Sequence, residues 1–260
     1  MDYYKKILND LISKKILDKK MKILVLCGDK YDKQIFESCH FSNVVISNIN
    51  DQIEKNTFTP FKWSYQDAEN LTFEDNSFDF CIVHSGLHHC YSPHRALLEM
   101  YRVSRKGCLL FEPYDNLLTR LGVLFHIGQE YELASVFFNN CSSGGVKNTT
   151  IPNYVYRWTE KEIIKTIKSF ALYGKNNFNF FYMMRIPWHQ LKGKKNKLIY
   201  YAVLLSFPFL KTFSFVFPKQ SNNFAALVLK PKITNDLYPW LLCENGDIKI
   251  NRSWLESRYK

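Results

Sequence analysis

The sequence has little of what defines several common classes of protein. Its 260 residues include only 10 glycines and 9 prolines, with no internal repeat and no low-complexity linker. Its 7 cysteines are scattered, odd in number and without a Cys-x-x-Cys pair, which argues against a disulfide framework or a zinc ribbon. Lysines interrupt residues 1–20, so no signal peptide is predicted. We therefore expect a cytoplasmic protein with reduced thiols.

Positive charge is in excess, but only in the second part of the chain. The net charge is +11; residues 1–150 carry 17 basic and 18 acidic side chains, whereas residues 151–260 carry 18 basic and 6 acidic ones. This imbalance predicts an anionic partner for the second part, such as a phosphate, an acidic glycan, nucleic acid or a membrane surface. Nucleic acid is not favoured, because no binding motif for it is present and the aromatic residues fall in predicted helices and strands.

Short apolar runs alternate with helical periodicity through the first half of the chain. The predicted buried strands are 22–27, 44–46, 80–83 and 107–111. A helix over 93–103 joins the last two, and such strand–helix–strand units in succession predict an α/β fold with a doubly wound, mostly parallel sheet. Later in the chain, a capping box of Thr159 and Glu162 begins a predicted helix, and strands are predicted over 178–186 and 224–229.

The rest of the chain is divided around this sheet. We predict an N-terminal amphipathic helix within 1–20, a main domain over 21–231 and a C-terminal cap over 232–260, which has a hairpin turn at Asn245-Gly246. Two insertions, 113–157 and 187–222, are expected to form a helical lid. The apolar stretch 198–217 is interpreted as part of this lid. Peripheral membrane contact through Lys192–Phe217 is an alternative, and a membrane span is a less favoured one.

Polar residues follow the predicted strands where each strand ends. Gly28, Asn48, Asp67, His84 and Glu112 occupy these positions or the loops between them. In an open α/β sheet, ligands bind outside the carboxyl ends of the strands. The sequence therefore predicts a ligand site along this edge.

Several spaced motifs in residues 63–116 resemble one family. Residues 67–73 read D-A-E-N-L-T-F, Ser77-Phe78-Asp79 precedes an apolar strand and Leu87-His88-His89, and a helix at 97–103 leads to Gly107. In order and spacing this resembles the class I S-adenosylmethionine-dependent methyltransferases, in particular the methyltransferase type 11 group. The resemblance implies a Rossmann-like fold with an antiparallel last strand.

The resemblance also implies which residues form the site. The cofactor, S-adenosyl-L-methionine, would be bound by Cys27, Gly28, Asp29, Asn48, Asp67, Ala68, Glu69, His84, Ser85 and Gly86. A hydroxyl acceptor needs a general base, and we expect His89 in that role, with His88 and Glu112 as further candidates. The implied reaction is in-line methyl transfer to a small or medium-sized, anionic acceptor such as a sugar nucleotide, a glycan precursor or a lipid-linked intermediate.

Two departures from the family pattern leave an alternative open. The first loop has the single glycine Gly28 where the family has several, and Asn48 stands where the family has an acidic residue for the ribose. A non-catalytic binding or scaffold protein that has lost the cofactor site is therefore the second hypothesis. The run His84, His88, His89, Cys90 and His94 suggests metal ligands, but no metal site is predicted, because no second ligand cluster is apparent.

Overall fold

A mixed sheet of seven strands organises the computed structural model, which describes residues 2–50, 53–193, 197–232 and 236–260. The strands are β1 (Ile23–Leu26), β2 (Val44–Asn48), β3 (Lys62–Tyr65), β4 (Phe78–His84), β5 (Ser104–Pro113), β6 (Asn177–Met183) and β7 (Asn223–Leu229). Their order across the sheet is β3-β2-β1-β4-β5-β7-β6. Strands β1 to β5 are parallel, and β7 runs antiparallel to both of its neighbours.

Helices flank the sheet and form most of the insertions. They are α1 (Tyr3–Ser13), α2 (Lys30–Ser38), α3 (Pro93–Val103), α4 (Leu117–Leu124), α5 (Leu133–Phe138), α6 (Glu160–Phe170), α7 (Trp188–Gly193), α8 (Leu198–Val216) and α9 (Arg252–Tyr259). Short 3-10 turns cover Lys55–Phe58, Leu87–His89, Val146–Asn148 and Pro218–Gln220. A separate hairpin pairs β8 (Leu241–Glu244) with β9 (Asp247–Ile250).

The sheet agrees with the sequence prediction in type and order. The predicted doubly wound, mostly parallel sheet is confirmed, and so is its antiparallel last strand. Helix α3 has the predicted bounds, and the Thr159–Glu162 capping box begins α6. The turn Asn245-Gly246 joins β8 to β9 with positive φ at both residues, as a two-residue hairpin turn requires.

Several elements differ from the prediction. The N-terminal helix, predicted within 1–20, ends at Ser13, because Lys15 adopts a positive φ that an α-helix does not allow. Strand β6, predicted over 178–186, ends at Met183. Helix α2 and strand β3 were not predicted. Both are short, and β3 is an edge strand of intermediate and exposed residues, so neither leaves a clear apolar pattern in the sequence.

The core has two layers, one on each face of the sheet. Along β1, Leu24 and Leu26 pack with α3 and α6, whereas Ile23 and Val25 pack with α1 and α2. This alternation follows from the two-residue period of a strand. All four residues are buried, which explains why the sequence shows an unbroken apolar run here.

The insertions differ in how closely they pack. Helix α8 is long and apolar enough to cross a membrane, but only 6% of its apolar window is buried. Of α8, Val203 is buried and Leu210 lines the main cavity described below. The lid role of this helix stays a prediction. Residues 194–196, including Lys194 and Lys195 of the basic cluster, lie outside the described residues. The domain division itself stays a prediction.

The junction between β1 and α2 contains a buried carboxyl group. Asp29 caps α2, and its backbone N–H donates to Asp32 Oδ2 at 3.0 Å. Asp32 is 3% exposed. Burial, followed by the charge of Asp29, raises the pKa of Asp32 from 3.8 to about 8. A raised pKa in the folded state means that the stability contribution is fully present below the unfolded pKa and is lost as the pH rises through about 8.

We therefore expect Asp32→Asn to change how stability depends on pH. Near pH 5 the folded carboxyl is protonated but the unfolded one is already ionised, so the variant should be about 1–2 kcal/mol more stable than wild type. At pH 9 this difference should be about 2–4 kcal/mol larger, because the variant avoids a buried charge. Urea unfolding at both pH values measures this. Asp18→Asn, at an exposed position, is the control, and an equal difference at both pH values would contradict the expectation.

Candidate active site

A large cavity lies at the carboxyl ends of the parallel strands. Its volume is about 1260 Å³, and its wall includes residues from the sheet edge and from both insertions. Of the predicted site residues, the cavity is lined by Cys27, Asp29, Asn48, Asp67, Ala68, His84, Ser85, Gly86, His88 and His89. Gly28, Glu69 and Glu112 are not part of its lining. The predicted edge of the sheet therefore does bring most of these side chains together.

The loop after β1 is held by packing and by Asn48. Cys27 has a positive φ of 53°, and a Cβ at Gly28 would lie 2.7 Å from Ile46 Cγ2. Asn48 Nδ2 donates a hydrogen bond to the carbonyl oxygen of Gly28 at 3.0 Å. A carboxylate at position 48 has no proton for this bond. The departure at Asn48 thus has a structural role in this chain.

The loop after β4 meets the loop after β1. Ser85 has a φ of 53°, and a Cβ at Gly86 would lie 2.5 Å from Cys27 Cβ and 2.9 Å from Val83 Cγ2. A residue with a side chain fits at position 86 only if the two loops move apart. The two loops therefore act as one rigid part of the cavity wall.

The predicted cofactor residue Asp67 is covered by a lysine from the first insertion. Lys147 Nζ lies 2.7 Å from Asp67 Oδ2 and 3.2 Å from Glu69 Oε2. Burial acts to raise the pKa of Asp67, but Lys147 and the backbone N–H of Glu69 lower it overall. Glu69 accepts hydrogen bonds from the N–H groups of Tyr91 and Ser92. Glu69 thus holds the segment before α3, a structural role rather than the predicted contact with the cofactor.

Glu112 is buried behind the cavity wall. It is 1% exposed, and it accepts the N–H groups of Gly86 and Leu87 at 2.9 and 2.8 Å. Its Oε2 lies 2.6 Å from His88 Nδ1. Since its oxygens are engaged and it does not reach the cavity, Glu112 positions the turn Leu87–His89 and is not placed to accept a proton from an acceptor.

The two histidines of this turn converge on a carboxylate that the sequence analysis missed. Glu132 Oε2 lies 3.3 Å from both His88 Nε2 and His89 Nε2. We call His88, His89 and Glu132 the histidine–glutamate cluster. His89 Nδ1 also lies 3.3 Å from the carbonyl oxygen of Gly145. All three members of the cluster line the cavity.

Burial and charge act in opposite directions on these groups. Burial lowers the pKa of His88, but Glu112 and Glu132 outweigh it and raise that pKa to about 10. Burial and the neighbouring charge of His88 lower the pKa of His89. Burial acts to raise the pKa of Glu132, but the hydrogen bond and charge of His88 hold it at about 2.

His84 is part of an aromatic layer next to α1. Its ring stacks on Tyr4 with centroids 4.8 Å apart and an interplanar angle of 7°. Burial, followed by the charge of Arg185, lowers the pKa of His84 to about 4, so this imidazole is neutral at pH 7. The ring of His84 packs against Tyr4, and the residue also lines the cavity.

Two arginines in the cavity wall were also missed. Arg157 donates to the carbonyl oxygens of Gln129 and Val155, and burial lowers its pKa. Among the residues that the structure describes, no carboxylate lies within 4.0 Å of the guanidinium of Arg157 or of Arg185. Like Glu132 and Lys147, they lie in irregular segments, where no periodicity in the sequence marks a functional position.

The chain was compared with known proteins. Residues 28–111 match the family described as "Methyltransferase domain". This segment is therefore similar to a methyltransferase domain. The predicted resemblance is therefore confirmed for the segment from the loop after β1 to β5, whereas both insertions lie outside the match. A search of curated proteins finds no match.

A solved structure shows the same fold over most of the chain. A SAM-dependent methyltransferase from Methanosarcina mazei is 15% identical, with a TM-score of 0.50, and the match covers 84% of this chain and 96% of that one. The PH0226 protein from Pyrococcus horikoshii is 15% identical, with a TM-score of 0.49, and the match covers 89% of this chain and 92% of that one. At this identity the likeness concerns the fold alone.

We expect Gly86→Ala to destabilise the protein because of the close contact between the two loops. The added methyl group overlaps Cys27 and Val83, and overpacking of this kind costs about 1–3 kcal/mol. The matched control is Gly122→Ala in α4, where an added Cβ meets nothing within 4 Å. That variant should be neutral or more stable by up to about 1 kcal/mol. Urea unfolding of both variants measures the contrast, and equal effects would contradict it.

Proposed function

We propose that this protein transfers the methyl group of S-adenosylmethionine to an anionic, lipid-linked acceptor at the cytoplasmic surface of a membrane. The observation that carries this proposal is the large cavity between the carboxyl edge of the methyltransferase domain and the two insertions. One part of its lining consists of the polar residues of the predicted cofactor site. A second part consists of two arginines and of apolar side chains from the insertions.

The residues of the first part fit the cofactor. Asp67 and Asn48 offer hydrogen-bonding groups for the polar parts of a nucleoside, and Ile49 and Ala68 offer apolar surface for a base. When the ligand binds, Asp67 would give up its ion pair with Lys147 and bind the ligand instead. Asn48 would keep its hydrogen bond to the carbonyl of Gly28, and its side-chain oxygen would accept a hydrogen bond from a ligand hydroxyl. Bound S-adenosylmethionine would supply an electrophilic methyl group, and the protein's part is then to align the acceptor with it.

The second part of the wall fits an amphiphilic anion. Arg157 and Arg185 supply positive charge without a paired carboxylate among the described residues. The insertions contribute apolar lining to the same cavity from Leu118, Phe125 and Leu210. A phosphate or carboxylate headgroup matches the arginines, and a hydrocarbon chain matches the apolar lining. This combination supports a lipid-linked intermediate more strongly than a sugar nucleotide.

The insertions also expose a large apolar surface. On α8 the exposed side chains include Leu205, Phe209 and Phe215, and on α4 they include Leu124. Exposed apolar area of this extent is uncommon on soluble monomers and is typical of protein or membrane contacts. Lys197 is the N-cap residue of α8, and Lys192 lies in the last turn of α7, where both would meet anionic headgroups.

The pairing of β6 with β7 supports a position on the membrane surface rather than a span. Met183 at the end of β6 pairs with Asn223 at the start of β7, and the side chain of Asn222 hydrogen-bonds both backbone groups of Arg185. The segment between β6 and β7 therefore leaves the sheet and returns to it at the same edge. If α8 crossed the bilayer, the lysine-bearing stretch before it would have to cross as well, at a high cost for its charges.

We expect S-adenosylhomocysteine to bind with one-to-one stoichiometry in isothermal titration. Asp67→Ala should weaken binding about tenfold or more, because it removes the acceptor of a hydrogen bond worth about 1.5–3 kcal/mol to a polar ligand. Lys147→Gln should tighten binding, because it releases Asp67 from its ion pair. Asp18→Ala is the control at an exposed position. No binding at millimolar ligand would overturn the proposal and favour the non-catalytic scaffold.

We expect the protein to float with anionic liposomes in a density gradient. Replacing Phe209 and Phe215 together by Ser should reduce the bound fraction at least about tenfold, because burial of each ring contributes about 1.5–3 kcal/mol. Ile250→Ser, an exposed position on the separate hairpin, should float like wild type. Wild-type protein that stays at the bottom of the gradient would contradict surface binding and leave a soluble anionic acceptor.

A further inference from the structure

The histidine–glutamate cluster has more oxygen acceptors than its imidazoles have protons. His88 faces Glu112 with Nδ1 and Glu132 with Nε2, and His89 faces Gly145 and Glu132 in the same way. Four ring nitrogens therefore face oxygen atoms, but two neutral imidazoles carry only two N–H groups. Both Nε2 atoms also point at the same oxygen, Glu132 Oε2, as they would if the three atoms shared one metal ion.

One metal ion bound to both Nε2 atoms accounts for all four contacts, because it leaves each Nδ1 as an N–H donor. Both rings lie largely inside the protein, with their centroids 4.6 Å apart.

We propose that His88 Nε2, His89 Nε2 and Glu132 Oε2 bind one divalent transition-metal ion in the cavity. In this arrangement His88 Nδ1–H donates to Glu112 Oε2, and His89 Nδ1–H donates to the carbonyl oxygen of Gly145. Metal-binding histidines almost always donate their other N–H to a carboxylate or a backbone carbonyl in this way. Here the chain provides one of each.

The distances agree with coordination. Ligand atoms about 2.0–2.2 Å from one metal ion, at angles from octahedral to tetrahedral, lie about 3.0–3.5 Å apart. Both Nε2 atoms lie 3.3 Å from Glu132 Oε2. The three side chains offer ligand atoms within 4.8 Å of one another. Small rotations of the two histidine rings would therefore bring all three atoms within reach of one metal ion.

The donor set limits which metal is suitable. Two imidazoles and one carboxylate are typical of catalytic zinc and of non-haem iron(II), which keep coordination positions open for a further ligand. Magnesium and calcium prefer sites built from oxygen atoms alone. All three residues line the cavity, so the open positions face it. An acceptor's hydroxyl or phosphate oxygen is the ligand class that fits there. This last step rests on the proposed function, whereas metal binding does not.

The expectation from the sequence that there is no metal site is thereby revised. His84 and His94, which belong to the same histidine-rich run, are not part of the cluster, because His84 stacks on Tyr4 and His94 packs against Trp158. The missing third ligand is Glu132, which the first insertion supplies. No spacing rule for a single helix or loop connects it to the histidines.

The test is zinc and cobalt binding to the chelator-treated full chain, without any cofactor. We expect one tightly bound Zn²⁺ per chain, measured by equilibrium dialysis, and Co²⁺ absorption without a thiolate charge-transfer band. Glu132→Gln and His89→Ala should each lower the affinity at least about tenfold, and Glu112→Gln should lower it about 10–100-fold through His88. His40→Asn, at an exposed position, should bind like wild type. Circular dichroism checks that each variant is folded.

Two results would overturn the metal site. Absence of zinc binding at micromolar free metal would show that protons occupy the cluster. Binding that the variants leave unchanged, or that Cys141→Ser with Cys243→Ser removes, would assign the metal to the exposed thiols. Because S-adenosylhomocysteine is absent from this experiment, its outcome is independent of whether the protein binds the cofactor.

Discussion

One buried carboxylate, Glu112, determines the shape of the cavity wall. It lies near the end of β5 and accepts two backbone N–H groups from the turn after β4, so it fixes the relative position of two neighbouring strand ends. Its remaining oxygen orients His88. A carboxylate with several hydrogen-bond partners can remain buried. The turn, the direction of the histidines and the contact between Gly86 and Cys27 all depend on this residue.

How well the sequence predicts the structure differs between elements, because some positions follow from a local apolar pattern and others from tertiary contacts. The central parallel strands β1 and β4 are predictable, because most of their side chains are buried on both faces and form apolar runs. Helix α2 and strand β3 have few buried residues, so no such signal exists for them. The same holds for Glu132, Arg157 and Lys147, which reach the cavity from irregular segments. Their positions follow from tertiary contacts that no periodicity encodes.

Residues that depart from the family pattern can be understood from their partners. Asn48 is predicted as a weaker partner for a ribose than a carboxylate would be, but in the structure its amide donates to the carbonyl of Gly28. The single glycine of the first loop lies against Ile46 and Val25, where no larger residue fits. The loop is thus stabilised by packing and by one side-chain amide. A loss of glycines does not by itself mean that the site has been lost.

The first insertion connects the two ends of the cavity. Within a few residues it places the carbonyl of Gly145 against His89 and the ammonium group of Lys147 against Asp67. Further along, Asn153 Nδ2 donates to the carbonyl of His88 at 3.0 Å. A ligand that replaces Lys147 at Asp67 must therefore move a segment that also holds the histidine turn. Such shared contacts couple two sites, and the coupling is reciprocal, because each ligand affects the other's affinity by the same factor.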